Sequence, residues 1–335
     1  MYMRRCHPSF LSGRSASVSI RASILPRHHL RHSFSTTMAK LELSVPDLTL
    51  PDGNKIPMIG FGTGTAWYKA PGAKDQACID ATKTAIKVGY THLDGAEMYN
   101  TEEELGDAIR ASKVPREKLF VTTKVDDSKD SINDIPAALD RSLKNMGLEY
   151  VDLYLIHSPF FAKGDKQRLQ KAWAEMEQVA AAGKAKSIGV SNFLKEHLDT
   201  ILETCKVRPA INQIEFHPYL QHGDLLAYHK SKDIKVSAYA PQTPVTRAKG
   251  GPLDGYLDSL SKKYAVNPGE ILLRWCVDQN VVAITTSSKE QRLSDMLRIF
   301  TFTLTPKEVE EISDLGKQHH FRAFWGHIFD ANDKS

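Results

Sequence analysis

Four residues of the chain could together protonate an oxyanion: Asp94, Tyr99, Lys124 and His157. A phenol with an ordinary pKa of about 10 is a poor acid at neutral pH. A lysine cation beside it favours the phenolate and lowers that pKa, and an aspartate keeps the lysine charged and aimed. A histidine N–H can then hold a carbonyl oxygen as negative charge builds on it. Such a set delivers a proton to an alkoxide, offers no nucleophile and requires no metal. Singly, each residue has a structural explanation: Asp94 as a helix-capping acid, Tyr99 as a core aromatic, Lys124 as a solvated strand end, His157 as a satisfied histidine. Their combination points to chemistry.

The elements that must position them come from the hydrophobic pattern. Leu48-Thr49-Leu50 and Lys55-Ile56 flank Asp52-Gly53-Asn54, which has the composition of a tight β-hairpin. Short apolar or β-branched runs follow at 59–62, 92–94, 119–123, 151–156, 187–190, 211–215, 235–239 and 281–285, separated by helical patterns. Strand-helix alternation implies parallel pairing with right-handed crossovers, and eight such units predict an α/β fold, a (β/α)₈ barrel with an N-terminal hairpin and a C-terminal tail. Helices predicted over 75–88, 132–146 and 167–182 end at Gly89, Gly147 and Gly183, and Pro268 suits a helical first turn. In such a barrel the reacting groups sit at the C-terminal strand ends, where Asp94, Lys124 and His157 fall, with Tyr99 in the loop after Asp94. The stretch 241–255, rich in Pro and Gly, is expected as a loop that folds over a bound cofactor.

The run Gly89-Tyr90-Thr91-His92-Leu93-Asp94-Gly95-Ala96-Glu97-Met98-Tyr99 resembles the first signature of the aldo-keto reductases. Thr123-Lys124 and Leu155-Ile156-His157-Ser158-Pro159 are similar to the rest of that family's catalytic tetrad. Ile188-Gly189-Val190-Ser191-Asn192-Phe193 and Asn212-Gln213-Ile214-Glu215-Phe216-His217-Pro218 resemble its fifth and sixth strands. The resemblance runs from about residue 46 to the C-terminus. It implies an NADPH-dependent carbonyl reductase with Tyr99 as proton donor. It also implies that Ser191, Asn192 and Gln213 hold the nicotinamide carboxamide, that Tyr239 stacks on the ring, and that Ala240 and Pro241 start the covering loop. Asp94 and Thr63, the latter within Gly60-Phe61-Gly62-Thr63-Gly64-Thr65, are expected beside the cofactor too. That glycine run does not open a helix as a dinucleotide fingerprint must.

Most of the family carries Pro-Lys-Ser after the eighth strand and an arginine five residues after the serine. Here the run is Thr285-Thr286-Ser287-Ser288-Lys289-Glu290-Gln291-Arg292, so Thr286 stands where the lysine is usual. Ser287, Ser288, Lys289 and Arg292 still supply hydroxyls, backbone amides and two cations for a 2′-phosphate, so NADPH is expected; a merely solvated Lys289 and Arg292 would leave NADH tolerated. The same run, with His157-Ser158-Pro159-Phe160-Phe161 and Phe321-Arg322-Ala323-Phe324-Trp325, is similar to a fungal branch reducing α-keto amides, α-keto esters, conjugated diketones and ketopantoyl lactone. Trp67, Phe160 and the tail are expected to line an apolar substrate mouth beside His157. The family resemblance implies a monomer.

Two other readings use the same residues. A non-catalytic NADP(H)-binding barrel would keep the cofactor contacts and act through a partner. A Schiff-base enzyme would need Lys124 neutral, which Asp94 opposes.

The 335 residues carry 44 basic and 40 acidic side chains, and seven of the basic ones but none of the acidic fall in residues 1–40. The remaining chain is thus slightly acidic and carries no footprint for nucleic acid. The four cysteines of the full sequence, Cys6, Cys78, Cys205 and Cys276, have no metal-module spacing. No stretch reaches the roughly 18 apolar residues of a membrane helix. Residues 1–40, Ser- and Arg-rich, are set apart from a barrel domain at 41–335. They are either a mitochondrial targeting segment or a disordered extension ahead of a cytoplasmic product starting at Met38.

Overall fold

The computed structural model describes residues 44–335. The expectations for residues 1–40 lie outside the described residues. Strand β1 (Asp47–Thr49) pairs antiparallel with β2 (Lys55–Pro57), and the turn closes through Leu50 N–H to the Asn54 carbonyl at 2.8 Å. Gly53, at φ 88°, supplies the left-handed residue this turn needs. Eight parallel strands then close a barrel: β3 (Ile59–Gly62), β4 (His92–Asp94), β5 (Phe120–Val125), β6 (Val151–Ile156), β7 (Ala185–Ser191), β8 (Ile211–Glu215), β9 (Lys235–Tyr239) and β10 (Val281–Thr285). Strand β10 pairs with β3, so no edge is left open.

Around the barrel run α1 (Gln76–Val88), α2 (Glu102–Ser112), α3 (Ile135–Met146), α4 (Lys166–Ala181), α5 (Lys195–Leu202), α6 (Leu225–Ser231), α7 (Thr243–Thr246), α8 (Asp254–Tyr264), α9 (Pro268–Val277), α10 (Glu290–Leu297) and α11 (Pro306–Lys317). Asp75 caps α1 by accepting from Ala77 N–H at 2.9 Å. Gly89, Gly147 and Gly183 all take positive φ past helix ends, as their type predicts. The helix expected from residue 132 starts at Ile135, because Asp134 accepts from Ala137 N–H and Pro136 occupies the first turn, while 130–133 coil into a separate tighter turn. The stretch 241–255 is loop but for the short α7 and the first residues of α8. No helix among the described residues is long and apolar enough to cross a membrane.

Among the imidazoles sealed into this framework are His92 in β4, His157 just past β6, His222 before α6 and His229 within it. Burial lowers the pKa of His92, His222 and His229 to about 4, and that of His157 to about 3. The unfolded chain, whose histidines titrate near about 6.5, therefore takes up protons that the fold refuses. The stability contributed by these neutral rings is complete above about pH 6.5 and is lost as pH falls toward 4. Denaturant midpoints recorded from pH 7 to pH 4.5 should fall steadily, each such imidazole costing about 1.4 kcal/mol per pH unit. A flat profile would contradict the sealed neutral rings.

Candidate active site

Lys124 is fully buried at the inner mouth of the barrel. Asp94 in β4 pairs with Thr122 in β5, and Lys124 lies two residues further along, so the two side chains point to the same interior face. The Lys124 ammonium donates to Asp94 Oδ1 at 2.6 Å, to the Gly95 carbonyl at 2.8 Å and to Tyr99 Oη at 3.4 Å. Burial alone would depress its pKa, but the Asp94 charge and Tyr99 outweigh that and hold it above its ordinary value. The lysine is therefore a cation. Asp94 Oδ2 accepts from Gln213 Nε2 at 2.8 Å. Since β4 and β8 stand opposite each other in the barrel, that bond spans its bore.

Tyr99 leaves the barrel wall on a short turn, Glu97–Tyr99, that follows β4. Gly64 lets it sit: a Cβ there would come within 2.8 Å of the Tyr99 ring. The His157 ring meets Tyr99 edge to face, with centroids 5.4 Å apart. His157 is neutral, and its Nδ1 is buried without a partner among the described residues. The phenol departs from the sequence expectation: burial raises its pKa more than Lys124 lowers it, so the net shift is upward. Tyr99 stays protonated at neutral pH, the state a proton donor needs.

A second tier joins the residues expected around the nicotinamide. Ser191 Oγ donates to the Gln213 carbonyl at 2.7 Å, Asn192 Nδ2 donates to the His157 carbonyl at 2.9 Å, and Tyr239 Oη donates to Asn192 Oδ1 at 2.7 Å. Thr63 N–H donates to the Asp94 carbonyl at 2.9 Å, fixing the end of β4. Asn192 and Ala240 hold φ of 60° and 53°, left-handed values that turn the chain sharply at the strand ends; for Ala240 this is strained. The C-terminal tail closes over this tier. The Glu215 carboxylate accepts from Ala323 and Phe324 N–H at 2.7 and 3.0 Å, and Trp325 Nε1 donates to Tyr239 Oη at 3.0 Å.

A cleft of about 410 Å³ opens on this centre. Asp94, Tyr99, Gln213, Tyr239, Ala240, Pro241 and Thr286 line it, together with Gly64, Gln242, Thr243, Thr246 and Arg247, which the sequence did not single out. Loop residues carry no period, so only the glycine run 60–65, for Gly64, and the Pro/Gly-rich composition of 241–255, for the others, hinted at them. Lys124, His157, Thr63, Ser191 and Asn192 are buried and contact residues that line the cleft: Lys124 and Thr63 bond to Asp94, His157 packs on Tyr99, Ser191 bonds to the Gln213 carbonyl and Asn192 accepts from Tyr239. Ser287 is buried and accepts from Lys289 N–H at 3.0 Å; Ser288, Lys289 and Arg292 are exposed outside the cleft, around the start of α10. Trp67 and Phe160 each contact neighbours of the cleft lining. Trp67 Nε1 donates to Thr286 Oγ1 at 3.1 Å, whereas Phe160 packs on Trp325 and Phe329 of the tail at 5.0 and 5.6 Å. Among the described residues no cluster of His, Cys, Asp and Glu could hold a metal ion.

The arrangement resembles that of known proteins over most of its length. The family model described as "Aldo/keto reductase family" matches residues 58–317. The NADPH-dependent alpha-keto amide reductase of Saccharomyces cerevisiae is 41% identical over 295 residues, covering 84% of this chain and 94% of the relative. The NAD/NADP-dependent indole-3-acetaldehyde reductase of Schizosaccharomyces pombe is 40% identical over 279 residues, covering 82% and 97%. The crystal structure of a Bombyx mori aldo-keto reductase in complex with NADP superposes with a TM-score of 0.73 at 36% identity, covering 81% of this chain and 93% of that one. This chain belongs to the aldo/keto reductase family.

Proposed function

We propose that the protein is an NADPH-dependent carbonyl reductase that protonates the nascent alcohol from Tyr99. The observation that carries this reading is the buried Lys124 cation, bonded to Asp94 at 2.6 Å and lying 3.4 Å from the Tyr99 hydroxyl. The fit to a dinucleotide rests on the cleft, on Gly62 and Gly64, where a Cβ would press on Ile284 and Tyr99, and on the polar tier of Ser191, Asn192 and Gln213 beside it. When bound, NADPH supplies a hydride to the carbonyl carbon. The remaining steps belong to the protein. Neutral His157 has one N–H to offer the carbonyl oxygen, and the Lys124 cation adds positive potential there. Tyr99 then donates its proton to the alkoxide. An alkoxide is far more basic than a phenolate, so the transfer runs downhill even from a phenol of raised pKa, and Lys124 stabilises the phenolate left behind.

Lysine in its charged state disfavours Schiff-base chemistry at Lys124. The substrates we infer are activated ketones, namely α-keto amides, α-keto esters, conjugated diketones and ketopantoyl lactone, together with aldehydes. The alpha-keto amide and indole-3-acetaldehyde reductases named above support both classes, and so does the aromatic group of Phe160, Trp325 and Phe329. Lys289 and Arg292 are the cations we assign to the 2′-phosphate, and the monomer is the proposed working unit.

NADPH oxidation at 340 nm with a cyclic α-diketone should be rapid for the wild type. Tyr99→Phe should bind NADPH as before and turn over more slowly by about 10²–10⁴. Undiminished turnover by that variant would remove Tyr99 as the proton donor.

A further inference from the structure

We propose that Glu97 is a positioning residue that sets the distance between Tyr99 and Lys124, an inference that rests on the reading of Tyr99 as proton donor above. Tyr99 ends the three-residue turn Glu97–Tyr99, whereas Lys124 belongs to strand β5. The turn's own backbone makes two bonds, Tyr99 N–H to the Ala96 carbonyl at 3.1 Å and Asn100 N–H to the Glu97 carbonyl at 3.2 Å. So short a winding does not by itself fix where the phenol falls against the neighbouring strand, and the hold must come from outside it.

On the side of β5 the Glu97 carboxylate supplies that hold. Its Oε2 accepts from Asp126 N–H at 3.0 Å and its Oε1 from Ser131 Oγ at 2.6 Å. Glu97 stands two residues before Tyr99, and Asp126 two residues after Lys124. Since Lys124 Nζ donates to Tyr99 Oη at 3.4 Å, these contacts close a ring: from Tyr99 back to Glu97, across to Asp126, along the strand end to Lys124 and over to the phenol. Bonds at Gly95, whose N–H donates to the Thr122 carbonyl and whose carbonyl accepts from Lys124, fix the chain ahead of the turn. The ties on the turn itself, apart from the Lys124–Tyr99 contact that they set, come to β5 and its loop through Glu97.

The anchor is firm. Asp126 Oδ1 accepts from Ser128 N–H at 3.0 Å and from Ser128 Oγ at 2.6 Å, and Lys129 Nζ lies 2.8 Å from Asp126 Oδ2. Ser131 also accepts from Arg141 Nη2 at 2.9 Å. On the far side Asn100 Nδ2 donates to the Lys69 carbonyl at 2.8 Å, and Lys69 N–H to the Tyr99 carbonyl at 3.3 Å. Tyr99 is thus gripped between the loops after β3 and β5. The Glu97 oxygens are engaged by the second of these loops rather than by Tyr99, Lys124 or His157, so the carboxylate acts through the placement of the phenol.

Single-turnover NADPH oxidation, NADPH affinity and the KM for a cyclic α-diketone, measured for Glu97→Ala and Glu97→Gln, test this role. Glu97→Ala should slow turnover on the order of ten- to a hundredfold, with KM and NADPH affinity little changed. Glu97→Gln should recover most of the rate, because its carbonyl oxygen can accept from Asp126 and its amide can donate to Ser131. In a Tyr99→Phe background Glu97→Ala should cause no further loss. Ser131→Ala removes one tie and should give a smaller loss than Glu97→Ala. A wild-type rate in Glu97→Ala, or in Ser131→Ala where Glu97→Ala does not fold, would overturn the role. So would an equal loss in Glu97→Gln, or a full additional loss in the Tyr99→Phe background. Undiminished turnover by Tyr99→Phe alone would instead overturn the proton-donor reading, and the role of Glu97 with it.

Discussion

An ammonium with no exposed surface loses its hydration, and such a charge persists only where partners replace the lost water within hydrogen-bond reach. Lys124 meets that condition through Asp94, the Gly95 carbonyl and Tyr99. Much of the barrel's mouth follows from keeping that set together. Strands β4 and β5 must be adjacent and in the register that pairs Asp94 with Thr122. Strand β8 must stand across the bore so that Gln213 occupies the second carboxylate oxygen, and Thr63 must hold the end of β4 from the other side. A slip of one residue in β5 would turn Lys124 outward and leave Asp94 buried without its cation.

The same geometry links Tyr99, the proposed proton donor, to the rest of the site. From Trp325 a line of hydrogen bonds runs through Tyr239 and Asn192 to the backbone of His157, whose ring packs on Tyr99. The tail, the expected nicotinamide platform and the Tyr99–His157 pair are therefore one connected body, anchored at its far end by Glu215. Buried hydrogen-bonded chains of this kind hold side chains in single rotamers, which is what a reaction needing sub-ångström placement demands.

The barrel was legible because strand and helix periods differ and because glycines marked helix ends; its candidate site residues were nominated because such folds react at strand ends. Asp94, Lys124 and His157 fell there by position, Tyr99 lay in the loop just after Asp94, and the family resemblance matched all four. What stayed hidden depends on tertiary contact. The Trp67–Thr286 bond joins residues 219 apart, and Trp325–Tyr239 joins residues 86 apart, so no local pattern could announce either. The net rise in the Tyr99 pKa was hidden for a similar reason, because burial, its largest cause, exists only in the folded chain.

The most direct measurement is a single-turnover trace at 340 nm, with protein in excess over NADPH and a saturating diketone, for the wild type and Lys124→Met. If the buried cation is what makes Tyr99 an effective donor, the variant will still bind NADPH and oxidise it slower by about 10²–10⁴, as slowly as a protein lacking the phenol. Oxidation by Lys124→Met at the wild-type rate would show that the proton reaches the alkoxide by another route.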